Sequence, residues 1–104
     1  MEIKEMQKMS FGILQRINNK LNVKHEPETI FLHLAEEVGE VARELSKKQE
    51  NWREEFNKDK LGEELADVIA TLCSIATDNN IDVEEAFIDK FEKVKKRFEL
   101  KWQF

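Results

Sequence analysis

The residues with the most chemical content are acids at helical spacing. Residues 33–44 read HLAEEVGEVARE and residues 62–70 read GEELADVIA, so Glu37 and Glu40 stand three apart, as do Glu64 and Asp67. Carboxylates at i and i+3 are neighbours on a helix and can reach one ion together. Hard oxygen ligands of this kind suit Mg2+, which takes a few carboxylates together with water and substrate phosphates. Antiparallel packing of the two segments through their apolar stripes would bring the four acids together. Without a cation such a group raises its own pKa values and strains the fold. The competing reading is a solvated helix face, because a chain with 22 acids produces E-x-x-E and E-x-x-D spacings without any site.

Four helical segments must position these acids. The first spans about 2–20, with Ile3, Met6, Met9, Ile13 and Ile17 recurring at three and four, and Asn18 and Asn19 helping to end it. The loop LNVKHEPE follows, and Pro27 suits the first position of a second helix, about 27–48, with Phe31, Leu34, Val38, Val41 and Leu45 as its stripe. A polar stretch, KKQENWREEFNK, leads to the third segment, about 58–79, with Trp52 and Phe56 tethering it to the body. Asn57 or Asp59 is its N-cap, and Leu61, Leu65, Val68, Leu72 and Ile75 are its stripe. The fourth segment opens at Asp82, with Glu85 three residues later, and runs to about 100 with Ala86, Phe87, Phe91, Val94 and Phe98 inward.

At roughly 100° per residue, Glu37, Glu40, Glu44 and His33 fall on one shoulder of the second stripe. Glu64, Asp67, Thr71 and Asp78 fall on the same shoulder of the third. Gly39, between two of the acids, implies close approach of another backbone or of substrate.

Composition limits the alternatives. The chain has 104 residues, 40% hydrophobic and 38% charged, with three Gly and one Pro, which predicts one all-α domain over 1–104. A small, highly charged helical domain commonly completes its core by oligomerising. The predicted fold is an antiparallel bundle of four main helices, completed as a homodimer or dimer of dimers. A net charge of -5 argues against a nucleic-acid polymer as partner but allows a nucleotide whose charge is screened by metal. Cys73, in VIATLCSIA, reads as a buried, inert thiol. With no legible signal peptide and no membrane span, the expected location is cytoplasmic.

EEVGE at 36–40, followed after 23 residues by ELAD at 64–67, resembles the E-E-x-x-E … E-x-x-D signature of MazG-like nucleotide pyrophosphohydrolases, within the all-alpha NTP pyrophosphatase superfamily. The opening of the fourth segment, NIDVEEA, is similar to the family's stretch after its third helix. The resemblance implies hydrolysis of a (deoxy)nucleoside triphosphate to the monophosphate and pyrophosphate, by metal-activated water attack at the alpha phosphate, as in nucleotide-pool sanitation. It implies Mg2+ or Mn2+ as cofactor, with Glu37, Glu40, Glu64 and Asp67 as ligands and Glu36 orienting or deprotonating the water.

The chain departs from the family where phosphates are held. The family places Asn with Lys and Arg near the start of the last helix, and no Asn follows Asn80 here. Lys93 and Arg97, one turn apart, are the candidate cationic clamp, against the alternative of a basic face countering the helix dipole. His33, on the acid shoulder, is a candidate substrate contact. Related chemistries remain open, namely phosphoribosyl-ATP pyrophosphohydrolase or a dUTPase or dCTPase type, as does a non-enzymatic helical interaction module. A di-iron bundle is disfavoured, because neither His25 nor His33 follows a Glu by three.

Overall fold

The computed structural model describes residues 1–23 and 26–101; Lys24 and His25 of the predicted loop lie outside them. Four helices form, and no strand occurs among the described residues: α1 (Ile3–Leu21), α2 (Pro27–Ser46), α3 (Lys58–Asp78) and α4 (Val83–Arg97). Their ends follow local chemistry. α1 passes Asn18 and Asn19 and stops at Asn22, which takes a left-handed φ of 56° while the Val23 amide bonds back to the Asn18 carbonyl. Asn tolerates that conformation better than most residues. Pro27 opens α2, where its missing N–H is harmless. Asn57, not Asp59, caps α3 by accepting from the Lys60 amide at 3.1 Å, and Asp82 caps α4 by accepting from Glu85 at 3.1 Å.

α3 is the middle of the structure and packs on both α1 and α2, while α4 packs chiefly on α1. α2 and α3 run antiparallel, since Glu37 bonds Thr71 and Glu44 bonds the Asn57 amide. Cys73, Ser74 and Ala76 are buried along α3, where small side chains let both neighbours approach. Burial raises the Cys73 thiol pKa, which makes it the inert thiol expected. Gln7 joins α1 to the α3–α4 turn, donating to Thr77 Oγ1 and the Ile81 carbonyl and accepting from the Val83 amide.

Two expectations about packing are corrected. The stripes of α2 and α3 were expected to pack on each other. Instead α2 and α3 meet along their acid shoulders, where Glu37, Glu44 and Glu64 are buried, while Val38, Leu45, Leu65 and Leu72 stay about half exposed. Phe87 and Phe91 of α4, and Phe98 just past its end, also face outward rather than inward, with Phe87 stacked on Phe91 at 4.6 Å. The physical reason is that α2 packs chiefly on α3 and α4 chiefly on α1, so each of these helices has one main neighbour and little to cover its other face. At Gly39 no other part of this chain comes close, because a Cβ there would meet nothing within 4 Å.

Candidate active site

The seam between α2 and α3 carries three rungs of polar contact. At the middle rung Glu40 from α2 meets Glu64 and Asp67 from α3, with a carboxylate oxygen of each within 4.8 Å of the others. Glu64 is buried, whereas Glu40 and Asp67 are exposed, so the cluster opens to solvent on one side. Lys60, one turn before Glu64, places its Nζ 3.1 Å from Glu64 Oε1. Glu64 Oε2 is buried and has no hydrogen-bond donor. An unsatisfied buried carboxylate oxygen costs free energy that most proteins avoid, and a cation is what such an oxygen lacks.

The electrostatics agree. Glu40 is held above the ordinary carboxyl range by the Glu64 carboxyl beside it and by that group's charge. Glu64 is held below it by the same contact and by Lys60. Two carboxyls this close repel when both are ionised, and a hydrogen bond between them would need a proton on one. A divalent cation can replace the proton, and the oxygen donors present fit a hard cation.

The lower rung is different. Glu44, 3% exposed, accepts from the Asn57 amide at 2.9 Å and from Lys47 Nζ at 2.7 Å. Lys47 also reaches Glu54 at 3.3 Å, and Arg43 reaches Glu54 at 3.1 Å. Lys47 and the Asn57 amide hold the Glu44 carboxyl below its usual range. This network ties the connecting stretch to α2, and Lys48 over the Phe56 ring at 4.6 Å folds the stretch back on itself. Phe56 is half-buried there, while Trp52 is 44% exposed.

At the upper rung Glu37 is buried. Its Oε1 accepts from Thr71 Oγ1, and its Oε2 lies 3.6 Å from His33 Nε2. Thus three of the four predicted ligands converge, and Glu37 stands one turn away on the same seam. Glu36 is exposed on α2 and outside the cluster. His33 and Thr71 line a cavity of about 320 Å3 whose apolar walls include Leu14, Ile17, Leu21 and Ile30. Lys93 and Arg97 are exposed on α4, the helix that packs chiefly on α1, so this chain does not bring them to the acids. Lys60 had no role in the sequence reading, although its Lys-to-Glu spacing of four was legible.

A search of curated proteins finds no match. A family model, the MazG nucleotide pyrophosphohydrolase domain, matches residues 25–100, which hold α2, α3, α4 and every acid of the seam. The match covers most of the chain, and its region contains the orphaned Glu64 oxygen and both acids beside it; the chain belongs to the MazG nucleotide pyrophosphohydrolase family, enzymes that hydrolyse nucleotide anhydride bonds.

Proposed function

We propose that this chain hydrolyses (deoxy)nucleoside triphosphates to monophosphate and pyrophosphate with Mg2+, or Mn2+, at the Glu40–Glu64–Asp67 cluster. The observation that carries the reading is Glu64 Oε2, buried without a donor between two further carboxylates. Glu37 completes the ligand set from the adjacent turn. A divalent ion bound there would offset charge developing on the phosphate oxygens and lower the pKa of an attacking water. Glu36, exposed beside the seam, orients that water and takes its proton. His33 contacts the nucleoside from the wall of the 320 Å3 cavity. The role is clearance of unwanted nucleotides from the cytoplasmic pool, and residues 1–104 act as one domain. Among the described residues no helix is long and apolar enough to cross a membrane.

The active form in this proposal is a homodimer or dimer of dimers. The chain exposes 8995 Å2, against roughly 6,100 Å2 for a compact protein of its mass. Its radius of gyration is 16.8 Å, against about 13 Å for a compact chain of this length. The excess surface is larger than the roughly 800 Å2 per partner of a standard interface. The half-exposed stripes supply its apolar part. Lys93 and Arg97 meet the phosphates across that interface, from a neighbouring copy.

The test is pyrophosphate release from a panel of canonical and modified nucleotides with Mg2+, Mn2+ or EDTA. Release that is lost in EDTA and in the Glu64→Gln variant is expected; release that survives both overturns the reading. Sedimentation addresses assembly. The Leu65→Lys variant is expected to run as a single chain and the wild type as an oligomer, and a single-chain wild type removes the second copy from the proposal.

A further inference from the structure

Glu37 is the predicted ligand that the three-carboxylate cluster leaves out, and it is not idle. It is 8% exposed, and Thr71, 6% exposed, donates its hydroxyl proton to Glu37 Oε1. A helical Thr ordinarily spends its hydroxyl on the carbonyl one turn back. Thr77, further along α3, does this with the Cys73 carbonyl at 3.1 Å. Thr71 instead points its proton across the seam to α2. Its branched Cβ leaves few rotamers, so a buried Thr is a stiff donor.

The placement has a consequence for the acids. Thr71 lies one turn beyond Asp67 on α3, and Glu37 lies one turn before Glu40 on α2. The Thr71–Glu37 rung is therefore next to the rung that gathers Glu40, Glu64 and Asp67. A carboxylate has about four lone-pair positions, so accepting one bond from Thr71 leaves Glu37 able to meet a cation. Without Thr71, a Glu side chain with three rotatable bonds would have to be ordered at the moment of binding.

We infer that Thr71 is a positioning residue of the cation site: its hydroxyl holds the Glu37 carboxylate ready for the ion gathered by Glu40, Glu64 and Asp67. The inference rests on the cation-site reading above. Hydrogen-bond partners of ligating groups typically change metal affinity by about 10–100-fold when removed.

The experiment measures Mn2+ affinity of the full chain by calorimetry, without substrate, for wild type and the Thr71→Val, Thr71→Ser and Glu64→Gln variants. Helicity and Tm are recorded in EDTA. Thr71→Val keeps the shape and loses the hydroxyl, and its Mn2+ affinity is expected to fall about 10-fold or more with helicity retained. Thr71→Ser is expected to restore binding close to wild type. If Thr71→Val does not fold, Thr71→Ala makes the same comparison. Wild-type affinity in the hydroxyl-free variant overturns the inference while leaving the cation site standing. Equal weakening in the Val and Ser variants overturns it as well, since the methyl would then be responsible. A wild type that binds no Mn2+, or a Glu64→Gln variant that binds normally, overturns the cation-site reading and this inference with it.

Discussion

Two glutamates on one helix–helix seam meet opposite fates. Glu44 and Glu64 are both more than nine-tenths buried between α2 and α3. Glu44 has a lysine at 2.7 Å and a backbone amide at 2.9 Å on its two oxygens. Glu64 has Lys60 on one oxygen, nothing on the other, and two acids beside it. The first is a closed lock that ties down the connection between the helices. The second is open and under electrostatic strain. Burial of an acid is therefore no sign of a site by itself; what separates the two is whether the protein has supplied all the donors.

The sharpest way to break the comparison is to neutralise each acid in turn. Glu64→Gln is expected to cut pyrophosphate release by about 100-fold or more while leaving the metal-free fold near wild-type stability, since the Gln amide keeps the shape and can donate to Glu40, which offsets the lost Lys60 pair. Glu44→Gln is expected to do the reverse, lowering Tm and leaving turnover per folded molecule near wild type. Chemical denaturation and single-substrate kinetics on both variants decide. Loss of activity without loss of stability at Glu44 would show that the lower rung also belongs to the site.

Metal should tell the two ends apart next. Mn2+ at about 100 times its Kd is expected to stabilise the wild type by about 2.7 kcal/mol, seen as a rise in Tm. Glu44→Gln should keep that rise and Glu64→Gln should lose it.

Acid should act on the closed end. The folded Glu44 carboxyl is held below its unfolded value, so its contribution is full above the ordinary carboxyl range. It is lost as pH falls through the folded pKa. Glu54, lowered by Arg43 and Lys47, has the same sign. Denaturation at a series of pH values should show the wild type losing stability on acidification more steeply than Glu44→Gln; parallel curves would remove the lock.

The smallest effect is expected at Gly39. With nothing within 4 Å of a Cβ there, Gly39→Ala should stabilise the helix by about 0.5–1 kcal/mol. Retained activity in that variant would show that neither substrate nor a second copy needs the gap, and lost activity would place one of them against it.

Much of this was legible beforehand because it is local. Helix ends follow from Pro27, Asn57 and Asp82, whose backbone preferences and side-chain acceptors act within a turn. The shared shoulder of Glu37, Glu40, Glu64 and Asp67 follows from 100° per residue. What resisted was the outcome of packing. Glu44 looked like a third member of the acid stripe because the Asn57 amide becomes its partner only once the connecting stretch folds back. Phe87 and Phe91 looked inward because apolar stripes ordinarily are; with α1 as the chief neighbour of α4 they stay about half exposed.

By itself, then, the sequence determined four helices, the spacing of the acids and the family, all of which depend on contacts within a turn or on residue identity along the chain. Only the tertiary structure decided which faces meet. It buried Glu37, Glu44 and Glu64 and left the apolar stripes half open, split Glu44 from Glu64, and turned the Thr71 hydroxyl onto Glu37. Those outcomes depend on which donors arrive from residues 13 to 34 positions away, and periodicity within one helix carries no record of them.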